Sequence, residues 1–579
     1  MGTISDKLMR IINTKEDIRQ ALISKGYDVP TSIPFKEYAK MISDLPCRVD
    51  SFPDIEGIVA RYSALGLTNE QMAENPVWKD LTDNGHDLQM KNLAWKGMSG
   101  VGGYVGDFSK WVNNRDTTEI GITKSNSKVI IDVKVSQGSG KNIVFISKSN
   151  LGISNNVTIK ITSTYPEGVM KFANSASNKY LKLPSNGIIT LQDNPEYTSN
   201  EMHLHLASAD LGQITIEQLP LYPGALVFDG VDDYGVCENF PILTKEKGYT
   251  VVALRQWDQD FLNTTLTGGL LSTRNYSTGE GVAFEKIESS NKGYWNLGAG
   301  GIIDFAKSPF TWQTSKQYNN VGILKGDKNH GKPLCVGCGL SGGQQCGRFA
   351  IWELVFLDHD ATEEELTKIK DYFVKTYPWL FPDQAWTVVG KTNEDEDRAT
   401  IANITGNGND LILSNFGFAE GSGYNEEGEH AGYLVTDGVD DMITSSAFQM
   451  GKDFTIVGDW KFIDNKKSGT GLVKGSSFYI YNTMIGLDLY INSGSVKNSL
   501  DGIKSINAAC SDGRAYDRNW NEILANTGNV VGSGGMLEVS SSGGRFDRIA
   551  FKNLAIYPRI LSKDDCIKAY NYLQTLKSK

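Results

Sequence analysis

The sequence carries one ten-residue pattern twice, and this duplication limits the possible folds more than any other feature. Residues 224–233 read Gly-Ala-Leu-Val-Phe-Asp-Gly-Val-Asp-Asp, and residues 432–441 read Gly-Tyr-Leu-Val-Thr-Asp-Gly-Val-Asp-Asp. In both copies an apolar run reaches an Asp-Gly pair, where Gly supplies the positive φ of a tight turn and Asp bonds its own backbone. The pattern predicts a strand, a turn and a second strand, and its recurrence predicts a repeated module.

A second landmark recurs at a fixed offset. The apolar segment 349–356 leads into Thr362 and Glu365, and 200 residues later Ser562 and Asp565 follow an equivalent segment. Each pair has the spacing of a helix capping box, although the second pair uses the shorter Asp. Each module is therefore expected to end in a strand followed by a helix.

The spacing inside the two copies differs. A glycine-containing motif at residues 81–88 matches residues 404–411, and its glycine lies 145 residues before Gly230 (230 − 85) but only 30 before Gly438 (438 − 408). The first copy thus carries about 115 extra residues, roughly 107–222, which is the size of a small independent domain. Insertions of this size are tolerated at surface loop tips, so we expect a domain nested inside the first module.

Composition indicates a folded, loop-rich, β-dominated protein, since the 579 residues include 61 Gly, only 16 Pro and 40% apolar residues. The net charge of −11 and the lack of a dense basic run argue against a nucleic-acid partner and disfavour an anionic membrane. No apolar stretch approaches the roughly 20 residues that span a bilayer. Residues 1–10 lack the apolar core of a secretory signal. We therefore expect a protein made in a cytosol that stays soluble and does not insert into membranes.

Residues 1–50 differ from the rest of the chain. Apolar residues recur close to a 3.6-residue period between Asp6 and Gly26, and Pro34 stands in the first turn of another helical segment. Helices in so short a segment bury too little apolar surface to be stable alone. We expect this module to pack on another protein or to drive formation of a dimer or trimer.

The nested segment and the link between the modules have their own signatures. Short β-branched runs, such as 129–135, 142–146 and 157–161, are separated by Ser, Asn and Gly and predict a small β-sandwich or barrel. Between the modules, Tyr377-Pro378-Trp379 and Phe381-Pro382 form a short link that contains proline. This composition predicts a fixed arrangement of the modules rather than a flexible tether.

The seven cysteines do not suggest a disulfide framework, because their number is odd and they are scattered, so free thiols in a reducing compartment are expected. His330, Cys335, Cys338 and Cys346 also invite a zinc interpretation. Against it, the equivalent positions of the second copy are Gly535, Glu538 and Phe546. We prefer thiols in or near a pair of strands. The complete set is Cys47, Cys237, Cys335, Cys338, Cys346, Cys510 and Cys566.

The repeated turns hold the candidate metal ligands. Clustered carboxylate oxygens are what Ca²⁺ prefers, while the same side chains also fix turns by bonding backbone amides. We favour the turn role and expect no cofactor, with calcium as the alternative. The candidates are Asp229, Asp232 and Asp233 in the first copy and Asp437, Asp440 and Asp441 in the second.

Other polar and aromatic residues give weaker signals. His203 and His205 share one face of a predicted strand, but no third metal ligand is evident, so a polar sheet face is preferred. The acidic run 394–397 is flanked by turn residues and predicts a solvated loop rather than the carboxylate pair of a glycosidase. The sequence offers no convincing catalytic group, and we predict that the protein is not an enzyme. Four aromatic residues are candidates either for stacking on sugars or for the core: Trp257, Tyr276, Trp295 and Trp312.

These motifs resemble known families. Residues 80–87, residues 226–234 and the late strand with its capped helix resemble laminin-G-like, or concanavalin A-like, domains. The segments 14–23 and 31–39 resemble the helical leader of phage tail and fibre proteins. The tracts 78–104 and 214–234 are similar to virion proteins of crAss-like phages that infect Bacteroides. No binding residues can be carried over from these families, because the sugar-binding loops of such domains follow no fixed motif.

The resemblance implies a mainly β protein with two jelly-roll sandwiches, one of which carries an inserted small β-sandwich, after a short helical N-terminal module. It also implies a head or tail fibre subunit of the virion, a homo-oligomer attached to other virion proteins through residues 1–50. Its lectin-like sandwiches would face host-surface glycans. The alternatives are a polysaccharide depolymerase with the same fold and a capsid decoration protein without a ligand. The expected units are 1–50, then 51–106 with 223–382, then 107–222 as the insert, and 383–579.

Overall fold

The structure is a computed structural model that describes residues 52–578 apart from several internal stretches. The helical module predicted for residues 1–50 lies outside the described residues. The internal stretches that are not described are 113–117, 137, 147–156, 175–179, 192–201, 210, 244–247, 274–282, 287–291, 296–301, 305–309, 315–332, 341–343, 427–429, 464–469, 475–477, 483–485, 492–499, 502–505, 525–532, 540 and 543–544.

The chain is mainly β and forms stacked antiparallel sheets, which confirms the predicted fold class. Among the described residues, no helix is both long and apolar enough to cross a membrane. The chain first lays down parts of both sheets of the first sandwich before the insert begins. These elements are β1 (Ile58–Ser63), α1 (Asn69–Glu74), β2 (Val77–Trp78), β3 (Leu88–Lys91) and β4 (Gly100–Val101).

The insert begins with a 3-10 turn at Phe108–Lys110 and folds into two sheets of its own. One sheet has the order β10-β9-β12-β7 and the other β11-β8-β13-β6-β5. Alternating residues such as Val129, Ile131 and Val133 on β6 point into a shared core. The strands are β5 (Ile120–Lys124), β6 (Lys128–Val133), β7 (Gly138–Ile146), β8 (Val157–Ser163), β9 (Met170–Asn174), β10 (Tyr180–Lys182), β11 (Asn186–Leu191), β12 (Met202–Ala209) and β13 (Gly212–Gln218).

The two chain ends of the insert meet at the surface of the first sandwich. Leu221 N donates to Gly103 O at 3.0 Å, and Tyr222 N donates to Gly102 O at 2.8 Å. Because entry and exit are hydrogen-bonded neighbours, the host sandwich accommodates the extra residues without opening its sheets.

After the insert the chain completes the first sandwich. One sheet has the order β21-β16-β25-β14-β4 with β1 also on β25, and the facing sheet runs β2-β3-β15-β22-β17-β18-β19-β20 with β23 and β24 beside β17. The new elements are β14 (Leu226–Asp229), β15 (Tyr234–Cys237), β16 (Thr250–Trp257), α2 (Gln259–Leu262), β17 (Gly268–Ser272), β18 (Ala283–Lys286), β19 (Lys292–Trp295), β20 (Ile302–Asp304), β21 (Phe310–Thr314), β22 (Leu334–Val336), β23 (Cys338–Leu340), β24 (Gln344–Cys346) and β25 (Arg348–Leu357).

A capped helix and a short 3-10 turn join the two sandwiches. In α3 (Glu363–Thr376), the Thr362 side chain accepts from Glu365 N, and the Glu365 side chain accepts from Thr362 N, so the predicted capping box is confirmed. The 3-10 turn at Pro378–Leu380 then leads into the second sandwich.

The second sandwich repeats the strand order of the first. One sheet runs β29-β30-β43-β32-β37-β38-β39 with β26 on β43, and the other runs β27-β28-β31-β40-β33-β34-β35-β36. The elements are β26 (Gln384–Thr387), β27 (Thr400–Ile401), β28 (Leu411–Ser414), β29 (Gly423–Asn425), β30 (Tyr433–Val435), β31 (Met442–Met450), β32 (Thr455–Phe462), β33 (Thr470–Lys474), β34 (Phe478–Asn482), β35 (Gly486–Ile491), β36 (Leu500–Asp501), β37 (Ile506–Cys510), β38 (Arg514–Asp517), β39 (Glu522–Leu524), β40 (Ser533–Val539), β41 (Ser541–Ser542), β42 (Arg545–Phe546), β43 (Ile549–Tyr557) and α4 (Lys563–Leu573).

Even local irregularities are duplicated. The pairing of β16 with β25 skips Trp352, and the pairing of β32 with β43 skips Lys552, which lies 200 residues later. The carbonyls of these two residues accept from Ala64 N and Val388 N, both at 2.9 Å. A bulge kept at the same place in both copies shows that the 200-residue offset read from the sequence extends to backbone detail.

One apolar cluster joins the two sandwiches and the edge of the insert. Strand β25 is buried along nearly its whole length, because one face packs into the first sandwich and the other into this shared layer. The layer also contains α3, α4 and the linker residues Trp379 and Leu380, which are 3% and 1% exposed. The link is therefore packed into the fold, in agreement with the fixed arrangement predicted from its composition.

Candidate functional site

The first aspartate turn, residues 229–233, joins the two sheets of its sandwich. Asp229 Oδ1 accepts from Val231 N at 2.8 Å, and Asp233 Oδ2 accepts from Asp229 N at 3.0 Å. The other oxygen of Asp233 accepts from Ser99 Oγ at 2.9 Å. Gly230 has φ +78°, and a Cβ there would lie 2.9 Å from the Cβ of Arg348, so glycine is required at this position.

The second aspartate turn, residues 437–441, repeats this arrangement. Asp437 Oδ1 accepts from Val439 N at 2.7 Å, and Asp441 Oδ2 accepts from Asp437 N at 2.7 Å. Ser422 Oγ donates to Asp441 Oδ1 at 3.0 Å, in the role that Ser99 has in the first copy. The repeated ten-residue pattern of the sequence therefore forms the same hydrogen-bonded turn in both copies.

The last carboxyl group of each turn has a perturbed pKa. Asp233 and Asp441 are each 1% exposed, and burial raises the pKa of each to about 6, although hydrogen bonds to the carboxylate oppose the rise. In each turn the two neighbouring aspartates add to the rise by charge repulsion. The innermost carboxyl is thus poorly suited to carry a negative charge.

A cation is the alternative occupant of these turns. One oxygen of each of the three carboxylates lies within 4.8 Å of the others in each copy. Against this, the oxygens of Asp233 and Asp441 already accept from an amide and a hydroxyl. Ca²⁺ takes six to eight oxygens, and the turn itself offers few carboxylate oxygens that are not used to hold its shape. The turn role therefore accounts for the geometry, and calcium stays the alternative.

Each turn carries an exposed valine at its tip. Val231 and Val439 are 73% and 67% exposed. Their backbone amides are held by the first aspartate of the turn, so the apolar tip is displayed by a rigid support.

The cysteine prediction is wrong for one pair. Cys338 and Cys346 face each other across β23 and β24 and form a disulfide, because the hairpin places them in register. This bond also removes two of the sulfurs that the zinc interpretation required, and His330 lies outside the described residues. The free and buried cysteines among the described residues are Cys237, Cys335, Cys510 and Cys566.

The remaining candidates are distributed between core and surface. Trp257 is 1% exposed and belongs to the core of the first sandwich, so a sugar-stacking role for it is wrong. Nothing is described of the side chains of Trp295 and Trp312, and Tyr276 lies outside the described residues. His203 and His205 lie on β12. Among the described residues, no third ligand brings these two histidines into a metal-sized group.

The acidic run 394–397 lies in a turn-rich segment, as predicted. Asp395 Oδ2 accepts from Thr392 N at 2.9 Å, and Asp397 pairs with Lys391 at 2.8 Å. These carboxylates hold the loop that precedes β27.

Several buried charged groups were not predicted, and Glu353 is the one among them that lies on the central strand β25. Glu353 is fully buried on β25, where it accepts from Arg61 at 3.2 Å and from Tyr377 Oη at 2.8 Å. Burial raises the pKa of Glu353, and the Arg61 guanidinium opposes that rise. The signal in the sequence was a lone glutamate inside the apolar run 349–356. The group lies beneath α3, whose Tyr372 also accepts from Arg61 at 2.8 Å.

Comparisons with known proteins give little further information. No family model matches the chain, and no curated protein matches it. Solved structures with some similarity include a Trypanosoma rangeli sialidase in complex with 2,3-difluorosialic acid, at 9% identity, TM-score 0.24 and coverage of 78% of this chain and 83% of that one. A mutant of the same sialidase that displays trans-sialidase activity has 9% identity, TM-score 0.26 and coverage of 80% and 86%. The botulinum neurotoxin serotype D binding domain has 10% identity, TM-score 0.21 and coverage of 60% and 89%. Likenesses this weak carry no argument about the site or the function.

Proposed function

We propose that this protein is a non-enzymatic subunit of a phage head or tail fibre, and that it presents its β-sandwiches for adhesion to glycans on the host surface. The observation that carries the proposal is the duplicated sandwich, with the same rigid, outward-facing turn in each copy. Repetition of one surface feature in a fixed body suits an adhesin, because two weak contacts held together bind with higher avidity than one.

The contacts between the sandwiches support this use. Tyr557 Oη donates to Trp379 O at 2.9 Å, and an Arg559 nitrogen donates to Val374 O at 3.1 Å, so the second sandwich is bonded to the link and to the helix that precedes it. The insert is tied in by Thr158 Oγ1, which donates to Asn571 Oδ1 of α4 at 2.9 Å. A body joined in this way holds the two turns at a constant separation.

The roles of the acidic groups favour binding over catalysis. The two aspartate turns use their carboxylates to hold the backbone, and Glu353 is buried beneath α3 against Arg61. A glycosidase needs two carboxylates that flank the scissile bond and remain accessible to it. Sustained release of reducing ends from capsular polysaccharide by the purified protein would overturn the non-enzymatic proposal in favour of a depolymerase.

Labelling of particles tests the placement in a virion. An antibody against residues 386–579 should label purified particles at a distance from the capsid or tail, since residues 1–50 would form the attachment. Light scattering should give a dimer or trimer, and a monomer at high concentration would count against a fibre. Absence of label from purified virions would refute the proposal. Label flush with the capsid, together with no glycan binding, would favour a decoration protein.

A further inference from the structure

A cleft of about 390 Å³ lies beside the first aspartate turn, at the junction with the insert. One wall is the loop 94–99 of the first sandwich, and the other is the start of the insert, with Asp107, Ser109 and Asn126. Asp229 completes the lining from the turn. A volume of this size lies at the small end of the range for ligand sites in proteins.

Hydrogen bonds across the junction preform the cleft. Asn126 Oδ1 accepts from Gly97 N at 2.9 Å, which fixes the insert to the loop of the sandwich. The carbonyl of Asn126 accepts from Phe108 N at 2.9 Å, and Asp107 accepts from Ser109 N at 3.1 Å. Both walls therefore have defined backbones before any ligand arrives, which lowers the entropic cost of binding.

The lining combines charge and apolar surface. Partial burial acts to raise the pKa of Asp107, but hydrogen bonds from Ser109 and Asn126 outweigh it and hold the pKa below its ordinary value, so this carboxylate is charged at neutral pH. Lys96 and Met98 also line this space. Carboxylates accept from hydroxyl groups, an ammonium donates to them, and an apolar side chain suits the C–H face of a sugar ring.

The second sandwich provides a natural comparison. Its loop 417–422 repeats the backbone of the first, since the bridge between Lys96 and Ser99 recurs between Ala419 and Ser422. The second copy, however, carries no segment equivalent to residues 107–222, so the wall that the insert contributes has no counterpart there. The two loops 94–99 and 417–422 are therefore similar, but the insert gives the first loop the second wall of a cleft.

We propose that this cleft binds a neutral, hydroxyl-rich saccharide unit. Asp107 and Asp229 accept from its hydroxyl groups, Lys96 donates to its oxygens, Met98 contacts its ring, and Asn126 positions the two walls. Lys96 and Lys110, which pairs with Asp107 at 3.8 Å, balance the two carboxylates, so the cleft suits an uncharged sugar. The inference rests on the proposed adhesion function and adds to it the place of binding and the class of glycan.

The test begins with the full chain on an array of neutral and anionic glycans, followed by titration calorimetry with the best neutral binder. Ala94 lines the cleft and is exposed, so the indole ring of Ala94→Trp should occupy the space that the sugar needs. The variant should bind at least ~10-fold more weakly, because the central contacts of a binding site supply most of its affinity. Gly417→Trp is the matched control, because Gly417 N donates to Ser422 Oγ at 2.8 Å as Ala94 N does to Ser99 Oγ at 2.7 Å. The control should stay within ~2-fold of the parent protein.

A second variant guards against misfolding. Lys96→Ala gives the first loop the residue that the second already has at Ala419, so folding should be retained, and affinity should fall about 5-fold through loss of a charged hydrogen bond. If the parent protein binds no glycan at all, the adhesion function itself is refuted. If it binds a neutral glycan and Ala94→Trp and Lys96→Ala bind equally well, only the assignment of the cleft is wrong. Binding of anionic glycans alone, weakened by Ala94→Trp, would overturn the neutral class.

Discussion

Asp441→Asn tests the buried carboxyl of the aspartate turns. Because burial raises its folded-state pKa from 3.8 to about 6, the folded protein holds more protons than the unfolded chain between these two values. The stabilising contribution of this carboxyl is therefore fully present below about pH 4 and is lost as the pH rises through about 6. An amide has no proton to lose, so the variant lacks this dependence.

The size of the effect follows from the shift. Integrating proton release between pH 4 and pH 7 gives a loss of about 2 kcal/mol in the free energy of unfolding for one carboxyl. At pH 4 the variant should be about 1 kcal/mol less stable than the parent, since an amide nitrogen, which cannot accept a hydrogen bond, replaces one of the two carboxyl oxygens that face Asp437 N and Ser422 Oγ. The difference between variant and parent should then move by about 2 kcal/mol in favour of the variant as the pH reaches 7.

Urea unfolding at pH 4, 5, 6 and 7, followed by tryptophan fluorescence, measures this difference. Ser422→Ala is the control, because it removes a hydrogen bond but keeps the carboxyl, so its pH dependence should persist. Asp233→Asn should repeat the result in the first sandwich, where Ser99 has the role of Ser422. If the difference in the free energy of unfolding between variant and parent changed by less than ~0.5 kcal/mol from pH 4 to pH 7, the argument from burial would be refuted.

Three further predictions follow from the same contacts. The double variant Cys338→Ala/Cys346→Ala opens a loop with a sequence separation of 8 and should cost about 2.5 kcal/mol in urea unfolding; a reductant should weaken the parent equally and leave the variant unchanged. Asn571→Ala leaves the buried Thr158 hydroxyl with Thr190 Oγ1 at 3.0 Å, also removes the bond to Pro220 O, and should cost about 2 kcal/mol. Thr158→Val should cost less in the Asn571→Ala background than in the parent, and strict additivity would contradict the pairing. Calcium at ~2 mM should raise the melting temperature by less than ~1 °C, because the buried turn oxygens are already bonded; a stabilisation of about 2 kcal/mol would instead indicate a site with a dissociation constant near ~0.1 mM.

Features that depend on local sequence were predictable. The turn at Asp229, its twin at Asp437 and the capping box of Thr362 need only neighbouring residues and appear as expected. At Ser562 only half of the box forms: its side chain accepts from Asp565 N at 3.1 Å. The shorter aspartate explains the missing half, since it lacks the carbon that lets glutamate reach back to the cap. The mainly β class followed from the same patterns, whereas the domain boundaries remain a prediction.

Features that depend on strand register or on distant partners were not predictable. Cys338 and Cys346 look like scattered thiols until the register of a hairpin places them opposite each other. Trp257 lies in a loop-rich part of the sequence but is buried against Phe349 from a strand about 90 residues later, with ring centroids 5.3 Å apart. Only the folded chain shows which aromatic residues are enclosed. The cleft beside Asp229 is a further case, because its two walls come from the sandwich and the insert.

The place of the insert links the architecture to the proposed site. Its entry and exit are bonded to each other at Gly102 and Gly103, so the insert leaves and rejoins the host sandwich at one place. The insert contacts α4 through Thr158 and meets the loop 94–99 through Asn126. Because the insert is bonded to two different elements, it is held in one orientation, and this orientation gives the cleft fixed walls. Duplication of the sandwich alone would have given two equivalent loops, 94–99 and 417–422. The insert adds a wall beside the first loop, so substitutions in the proposed site can change binding there without altering the second loop.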